Sequence, residues 1–132
     1  MAATRRSRRR GNLPPGPTKG KDFDTGNAMG PWLVTTDGMP DPYALTMVVR
    51  VNGQEMGRGM SGTMHHKFED VLVHVSKDET VYPGEFFGSG TVGNGSGMEF
   101  NRFLKAGDVV ELEIDGLGVL RNRVVAPQAV TT

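Results

Sequence analysis

Glycine and proline divide this chain into short pieces. Nineteen of its 132 residues are glycine and eight are proline, so glycine is about twice as frequent as the roughly 7% usual in proteins. Both residues disfavour helix interiors, and both are common in the turns that connect strands. The composition therefore favours a mainly β protein of short strands and argues against a helical bundle.

Three predicted strands lie between residues 31 and 60. Residues 31–36 (PWLVTT) are rich in β-forming side chains and end at turn residues. Residues 45–51 form a second apolar run, followed by Asn52-Gly53. This dipeptide is typical of a two-residue hairpin turn, in which both central residues have positive φ. Residues 54–60 are then the returning strand, although two glycines weaken it.

A second hairpin is predicted near the carboxyl end. Residues 110–114 alternate between apolar and acidic side chains, as in a half-buried strand. Residues 116–118 (GLG) turn the chain, and residues 120–125 return. One register sets two charge pairs opposite each other: Glu113 with Arg121, and Glu111 with Arg123. Each pair would contribute about 0.2–1 kcal/mol.

Residues 67–76 fit either a helix or a strand. Phe68, Val71, Leu72 and Val75 would form one apolar stripe on a helix. Alternating valines in the same segment would suit a strand. Acidic residues near the start complement a helix N-terminus, so we favour a helix.

The formal net charge of zero hides a strong separation of charge. Residues 1–21 carry seven positive charges and no acid, whereas residues 22–132 carry a net charge of −7. Residues 1–20 are predicted to be a disordered basic arm, because they hold too few apolar residues to offset the entropy of ordering. We expect a domain over residues 21–127 and a frayed tail over 128–132.

Several classes of protein are disfavoured by composition. Without cysteine there is no disulfide framework, thiolate metal site or cysteine nucleophile. No apolar run approaches the roughly 18 residues of a membrane span, and no secretory signal is evident. We expect a cytoplasmic protein. Nucleic-acid binding is disfavoured, because the arm has no aromatic residue for base stacking and the body is acidic.

The segment Gly88-Ser89-Gly90-Thr91-Val92-Gly93 matches the dinucleotide pattern G-x-G-x-x-G. That pattern binds pyrophosphate only where a strand leads into a helix. More glycines follow at once and disfavour the helix. The better interpretation is a loop that brings backbone N–H groups and two hydroxyls to a small anion. The pair His65-His66 is an improbable metal site, because adjacent strand residues point to opposite faces.

Two further places carry candidate functional groups. Lys21-Asp22-Phe23-Asp24-Thr25 combines a cation, two carboxylates and a hydroxyl, of which the oxygens suit a hard cation such as Mg²⁺. Glu99 lies between Met98 and Phe100. A carboxylate among apolar side chains can have a raised pKa and act as an acid or base, although such a residue is more often an ordinary surface carboxylate.

Taken together, these segments resemble the C-terminal part of the fumarylacetoacetate hydrolase family. The likeness covers about residues 17–127, in the family's order and spacing. The matching segments are KGKDFDTGN from Lys19, GPWLVT from Gly30, Asp41-Pro42, RVNG from Arg50, PGE from Pro83, GSGT from Gly88, RFLK from Arg102, GDVV from Gly107, GLG from Gly116 and LRNR from Leu120.

This resemblance implies a mixed β-sandwich roll with one short helix. It also implies a homodimer and a divalent cation, commonly Mg²⁺, with Ca²⁺ or Mn²⁺ as alternatives. Family members cleave acylpyruvate-like β-diketo acids or transform similar 2-oxo acids. The small 2-oxo or β-diketo acid is therefore the expected ligand.

The resemblance also assigns roles to individual residues. Lys21 falls on a catalytic lysine beside the metal and the substrate oxygens, and Thr25 on an accessory threonine of that site. Gly90 and Thr91 fall where the family contacts the substrate carboxylate. Glu99 falls where some members keep a glutamate that orients a catalytic histidine.

One departure from the family pattern concerns the metal. The family's carboxylate ligands and catalytic histidine precede the lysine, whereas no acidic residue precedes Lys21 here and no histidine precedes His65. We therefore expect an incomplete domain that is inactive alone. The alternative is a non-catalytic binding or assembly subunit. We also expect exposed apolar faces, with open edges at residues 31–35 and 109–114.

Overall fold

The computed structural model describes residues 25–30 and 32–126. Within them the prediction of a mainly β chain with one short helix is confirmed. The predicted basic arm and the predicted tail lie outside the described residues. The elements in chain order are β1 (Thr46–Val51), β2 (Gln54–Met60), a 3-10 turn (Ser61–Thr63), α1 (Phe68–Val75), β3 (Val109–Ile114) and β4 (Gly118–Arg123).

The strands form one antiparallel sheet in the order β2-β1-β3-β4. Because β3 pairs with β1 on one side and β4 on the other, the predicted open edge at residues 109–114 is wrong. Asn52 helps to join β1 and β3: its backbone N–H donates to the carbonyl of Val109 at 2.8 Å. Its side-chain oxygen accepts from the N–H of Val109 at 2.9 Å. The edges of the described sheet are β2 and β4.

The first hairpin has the predicted turn. Asn52 and Gly53 have φ values of 53° and 78°, as a type I′ turn requires. Beyond the turn, Arg50 pairs with Glu55 while Val49 pairs with Gly57. Met56 is thus the extra residue of a β-bulge in β2, a feature that increases local twist.

The second hairpin forms, but its predicted register is wrong by two residues. Glu111 pairs with Arg121, and Glu113 pairs with Val119. The tight turn is made possible by Gly116 and Gly118, which have φ values of 75° and 86°. Instead of meeting Arg121, Glu113 forms an ion pair with Arg50 on β1.

The strand predicted over residues 31–36 is also wrong for its described part. Residues 32–35 are irregular, and a turn follows in which Gly38 N–H donates to Thr35 carbonyl at 2.9 Å. Thr35 also donates its hydroxyl hydrogen to the Asp37 carboxylate. Local side-chain bonding of this kind competes with ladder formation, and the β-forming composition did not reveal it.

The helix favoured at residues 67–76 is confirmed as α1. Its start is held by Asp70, whose carboxylate accepts from the backbone N–H of Lys67 at 2.9 Å. Tyr43 adds a second anchor, because its hydroxyl accepts from Phe68 N–H at 3.0 Å and donates to Glu69. The Tyr43 ring also stacks on Phe68, with centroids 5.7 Å apart.

The two faces of the sheet differ in chemistry, because residues directly opposite in a ladder share a face. One face, here called the charged face, carries three ion pairs: Arg50–Glu113, Arg58–Glu55 and Arg121–Glu111. Val48 lies on that face and, at 5% exposure, is the one buried hydrophobic residue of the described part of the chain. The opposite, apolar face carries Met47, Val49, Val51, Val110, Leu112, Ile114 and Leu120.

Much apolar surface stays exposed in the described part of the chain. Leu112 is 41% exposed although it lies in a central strand. The apolar face of the sheet is therefore incompletely covered, as we expected from the sequence.

Candidate functional site

The glycine-rich loop (residues 88–97) forms no helix. The chain passes from irregular backbone into turns between residues 93 and 101. The strand-to-helix geometry that a dinucleotide fingerprint needs is therefore missing from this segment. The other interpretation from the sequence, a loop that presents backbone N–H groups and hydroxyls to a small anion, stays open.

The carboxyl half of this loop packs closely against β2. A Cβ atom on Gly57 would overlap the backbone carbonyl of Asn94, and one on Gly59 would overlap the side chain of Val92. These two glycines share one face of β2, at positions i and i+2. Their small size therefore lets the loop backbone lie directly on the sheet.

Glu99 follows the loop in sequence, and its carboxylate binds two of the loop's backbone N–H groups. One carboxylate oxygen accepts from the backbone N–H of Asn94 at 3.0 Å, and the other accepts from Ser96 N–H at 2.8 Å. The backbone N–H of Glu99 in turn donates to the Ser96 carbonyl at 3.0 Å. We call this arrangement of Glu99, Asn94 and Ser96 the glutamate clamp.

The clamp lowers the pKa of Glu99, whereas its apolar sequence neighbours suggested a raised pKa. Hydrogen bonds from the Asn94 and Ser96 backbones lower the pKa of the Glu99 carboxyl below its ordinary value of 4.5. The raised pKa expected from its apolar sequence neighbours is therefore wrong. Those neighbours, Met98 and Phe100, are themselves 56% and 46% exposed, so they do not enclose the carboxylate.

The amino-terminal half of the loop is open. Gly90 has a φ of 88°, and among the described residues other than its chain neighbours no atom lies within 4 Å of where its Cβ would be. A small ligand can approach such a backbone without meeting a side chain. Thr91 follows directly and is exposed. The carboxylate-binding role of Gly90 and Thr91 stays a prediction.

The other predicted site residues are less informative. Lys21 lies outside the described residues. Thr25 is described, is exposed, and has a φ of 64°, a conformation that is rare for a β-branched residue. Across the described ranges, no hydrogen bond joins Thr25 to the glycine-rich loop.

The described residues do not form a metal site. Over residues 25–30 and 32–126, no three His, Asp or Glu side chains come together in a way that could hold a metal ion. His65 and His66 pack edge to face against each other, with ring centroids 4.6 Å apart. The donor set of the described part therefore does not fit a divalent cation.

Neither the glycine pair on β2 nor the Glu99 carboxylate was predicted from the sequence to hold the loop. The sequence pattern indicated Gly57 and Gly59 as weak points of a strand, whereas they form the surface on which the loop packs. A glycine pair at i and i+2 in a strand does signal close backbone approach. No comparable sequence signal links Glu99 to the amides of Asn94 and Ser96.

Comparison with known proteins agrees with this architecture. The profile of the family described as fumarylacetoacetate (FAA) hydrolase C-terminal matches residues 2–125. The chain belongs to the fumarylacetoacetate hydrolase family. The match includes most of the segment predicted to be a basic arm, while the domain boundaries themselves stay predictions.

Curated relatives share more than two fifths of the aligned residues. The human protein named oxaloacetate tautomerase FAHD2A, mitochondrial, is 44% identical over 107 residues, which are 80% of this chain and 34% of that protein. The 2,4-didehydro-3-deoxy-L-rhamnonate hydrolase of Sphingomonas sp. (strain SKA58) is 43% identical over 109 residues, 81% of this chain and 38% of its own length. The chain thus spans little more than a third of these relatives.

Solved structures show the same fold. The fumarylacetoacetate hydrolase of Exiguobacterium antarcticum matches with a TM-score of 0.75 and 34% identity, covering 83% of this chain and 39% of that one. Maleylpyruvate hydrolase from Sphingobium sp. SYK-6, solved in complex with manganese(II) ion and pyruvate, matches with a TM-score of 0.66 and 25% identity. That alignment covers 75% of this chain and 35% of the other.

The helices of the described residues are short: α1 has eight residues and the 3-10 turn has three. Neither α1 nor the 3-10 turn has the length and apolar content to cross a bilayer.

Proposed function

We propose that this chain carries the substrate-binding portion of a metal-dependent hydrolase or lyase acting on acylpyruvate-like β-diketo acids or related 2-oxo acids. The observation that carries the proposal is family membership together with the open geometry of Gly90 and Thr91. Two named relatives, an oxaloacetate tautomerase and a maleylpyruvate hydrolase, act on compounds that contain a 2-oxo acid group.

The proposed ligand group is the carboxylate of the 2-oxo acid. A carboxylate accepts hydrogen bonds from backbone N–H groups and from hydroxyls, and such charge-assisted bonds are stronger than neutral ones. Gly90 and Thr91 offer these donors on an open stretch of loop. In this proposal they hold and orient the substrate while bond cleavage or proton transfer takes place at its 2-oxo end.

Mg²⁺, with Ca²⁺ or Mn²⁺ as alternatives, is the proposed cation of a complete family site. A manganese ion accompanies pyruvate in the maleylpyruvate hydrolase structure. Since the described residues hold no suitable ligand cluster, no catalytic step through a metal follows from them. Lys21 as a catalytic residue and Thr25 as an accessory group stay part of the proposal.

The direct test is ligand binding to the full 132-residue chain, followed by nuclear magnetic resonance of its backbone amides. We expect pyruvate and oxalate to shift the Gly90 and Thr91 amides. Thr91→Val should weaken binding, so that more ligand is needed for the same shifts, because it removes the hydroxyl at nearly constant volume and leaves the backbone N–H groups. Thr80→Val, in the exposed segment after α1, is the matched control and should leave the affinity unchanged.

Two results would overturn the proposal. The first is the absence of any shift at Gly90 and Thr91 up to saturating pyruvate. The second is equal binding by the wild type and Thr91→Val. Turnover of oxaloacetate or an acylpyruvate should be measured in parallel with added Mg²⁺ or Mn²⁺, and we expect little turnover by this chain alone.

The alternative function is a non-catalytic binding or assembly subunit with the same fold. The lack of a ligand cluster among the described residues favours it. Acylpyruvate turnover by the purified chain with Mg²⁺ would exclude this alternative. We further propose that the chain forms a homodimer, which sedimentation would test. We also propose a cytoplasmic location. Imaging would test it against the mitochondrial location that the name of the human relative gives.

A further inference from the structure

The glutamate clamp uses both oxygens of Glu99. Each oxygen accepts one backbone N–H, from Asn94 or Ser96, at 3.0 and 2.8 Å. The same bonds lower the pKa of the carboxyl, so the group stays ionised near neutral pH. A carboxylate bound in this way is poorly suited to exchange protons with a substrate, and well suited to hold a loop in place.

The clamped part of the loop is also fixed from the sheet side. Asn94 lies against Gly57, and Val92 lies against Gly59. The carbonyl of Gly97, beyond the clamp, accepts from Arg102 N–H at 2.7 Å. Residues 92–97 are thus held on the sheet by two glycine contacts and at their far end by hydrogen bonds.

Thr91 precedes this fixed segment by one residue. Among the described residues other than their chain neighbours, no atom lies within 4 Å of the Cβ positions of Gly88 and Gly90, so these two glycines show no close packing contact like those of Gly57 and Gly59. The close contacts described near Thr91 therefore lie on its carboxyl side, at Val92 and in the clamp.

We propose that Glu99 is a positioning residue, which holds the Gly90-Thr91 segment in its ligand-binding geometry by clamping residues 94–96 onto β2. The proposal rests on the proposed function for the role of Thr91 as a substrate contact. It differs from the acid–base and histidine-orienting roles that the sequence suggested, because the carboxylate acts on the loop backbone.

The test compares two variants of the clamp with one variant of the packing surface. Glu99→Ala removes both acceptors. Glu99→Gln keeps one acceptor and turns an N–H₂ group toward the other amide. Gly57→Ala leaves Glu99 intact but pushes Asn94 off the sheet. Two controls alter comparable features outside the loop: Asp108→Asn, where Asp108 accepts from Lys105 N–H and from Asn52, and Gly30→Ala, whose Cβ would meet only the Trp32 carbonyl oxygen at 4.0 Å.

The first readout needs no ligand. Nitrogen relaxation should give an order parameter for the Thr91 amide near that of rigid backbone in the wild type, and below about 0.6 in Glu99→Ala and Gly57→Ala. Glu99→Gln should be intermediate, and both controls should resemble the wild type. A Thr91 amide that is already mobile in the wild type, or unchanged in Glu99→Ala, would overturn the proposal.

The second readout is the affinity for pyruvate. We expect it to fall roughly tenfold or more in Glu99→Ala and Gly57→Ala, because a misplaced binding group loses much of its effect. Glu99→Gln should recover part of the lost affinity, because it keeps one acceptor for the backbone N–H groups, whereas equal affinity of Glu99→Gln and Glu99→Ala would contradict the clamp. If the wild type does not bind pyruvate, the proposed function fails, and the Thr91 order parameter still decides the clamp.

Discussion

The indole N–H of Trp32 donates a hydrogen bond to the carbonyl oxygen of Leu117, at 2.9 Å. The indole ring lies next to Gly118, where a Cβ would come within 3.0 Å of it. The irregular segment that begins at Trp32 is thereby attached to the turn between β3 and β4. This contact replaces the strand pairing that the composition of the segment suggested.

Replacing Trp32 by Phe should keep an aromatic ring but remove the donor. Since the bond is exposed to water, we expect a loss of only about 0.5–1.5 kcal/mol in the free energy of unfolding. Urea unfolding followed by circular dichroism measures it. Leu33→Ala is the control, because Leu33 is 80% exposed, and an equal loss in both variants would contradict the role of the bond.

Gly53 should be sensitive to any side chain that disfavours positive φ. Its φ of 78° is costly for alanine, so Gly53→Ala should lower the free energy of unfolding by about 1–2 kcal/mol. Gly53→Asn should cost less, because asparagine tolerates this conformation better. Chemical denaturation of the three proteins gives the ranking, and equal stability of all three would show that the turn is not strained.

Tyr43 should ionise at a pH above the ordinary value for a tyrosine. Burial from water, followed by its hydrogen bond to Glu69, raises the pKa of Tyr43 above its ordinary value of 10.0. The contribution of the Tyr43 hydroxyl to the free energy of unfolding is therefore complete below pH 10, and it is lost as the pH rises through the pKa of the folded state. Ultraviolet difference titration of the wild type against Tyr43→Phe isolates this group. A difference curve centred at or below the ordinary value would contradict the prediction.

Acid should destabilise the folded chain through carboxyl groups whose pKa is lowered. Hydrogen bonds or ion pairs produce this shift at five positions: Asp37, Glu55, Glu69, Glu99 and Asp108. These carboxylates stabilise the folded chain at pH values above their ordinary pKa values of 3.8 and 4.5. This contribution to the free energy of unfolding is lost as the pH falls through the lowered pKa values of the folded state. Thermal unfolding between pH 7 and acidic pH measures the decline.

Asp108 allows this pH dependence to be assigned. Its pKa is lowered chiefly by the backbone N–H of Lys105 and then by the side chain of Asn52. Asp108→Asn should therefore be less stable than the wild type at neutral pH, with the difference shrinking in acid. A constant difference across this range would mean that the charge of Asp108 does not contribute.

Local patterns were enough to predict the elements whose structure depends on neighbouring residues. The Asn52-Gly53 turn follows from the preference of these two residues for positive φ. The stripe from Phe68 to Val75, together with acidic residues at its start, was enough to favour α1 over a strand. The alternation in residues 110–114 predicted β3 because it has the period of a half-buried strand.

Long-range pairing decided the features that were predicted wrongly. The register of the second hairpin depends on two glycines with positive φ and on Arg50, which binds Glu113 from a strand far away in sequence. The segment at residues 32–35 has a β-forming composition, but Trp32 bonds to a distant turn instead. A pattern within one segment holds no information about either partner.

The sequence by itself determined the fold class, the hairpin turn, the helix and the family, because these depend on local periodicity, turn chemistry and ordered motifs. Only the tertiary structure decided what Glu99 does. Its neighbours in sequence are apolar and suggested a raised pKa. In the fold, the loop turns back so that two backbone N–H groups meet the carboxylate, and these bonds lower its pKa instead.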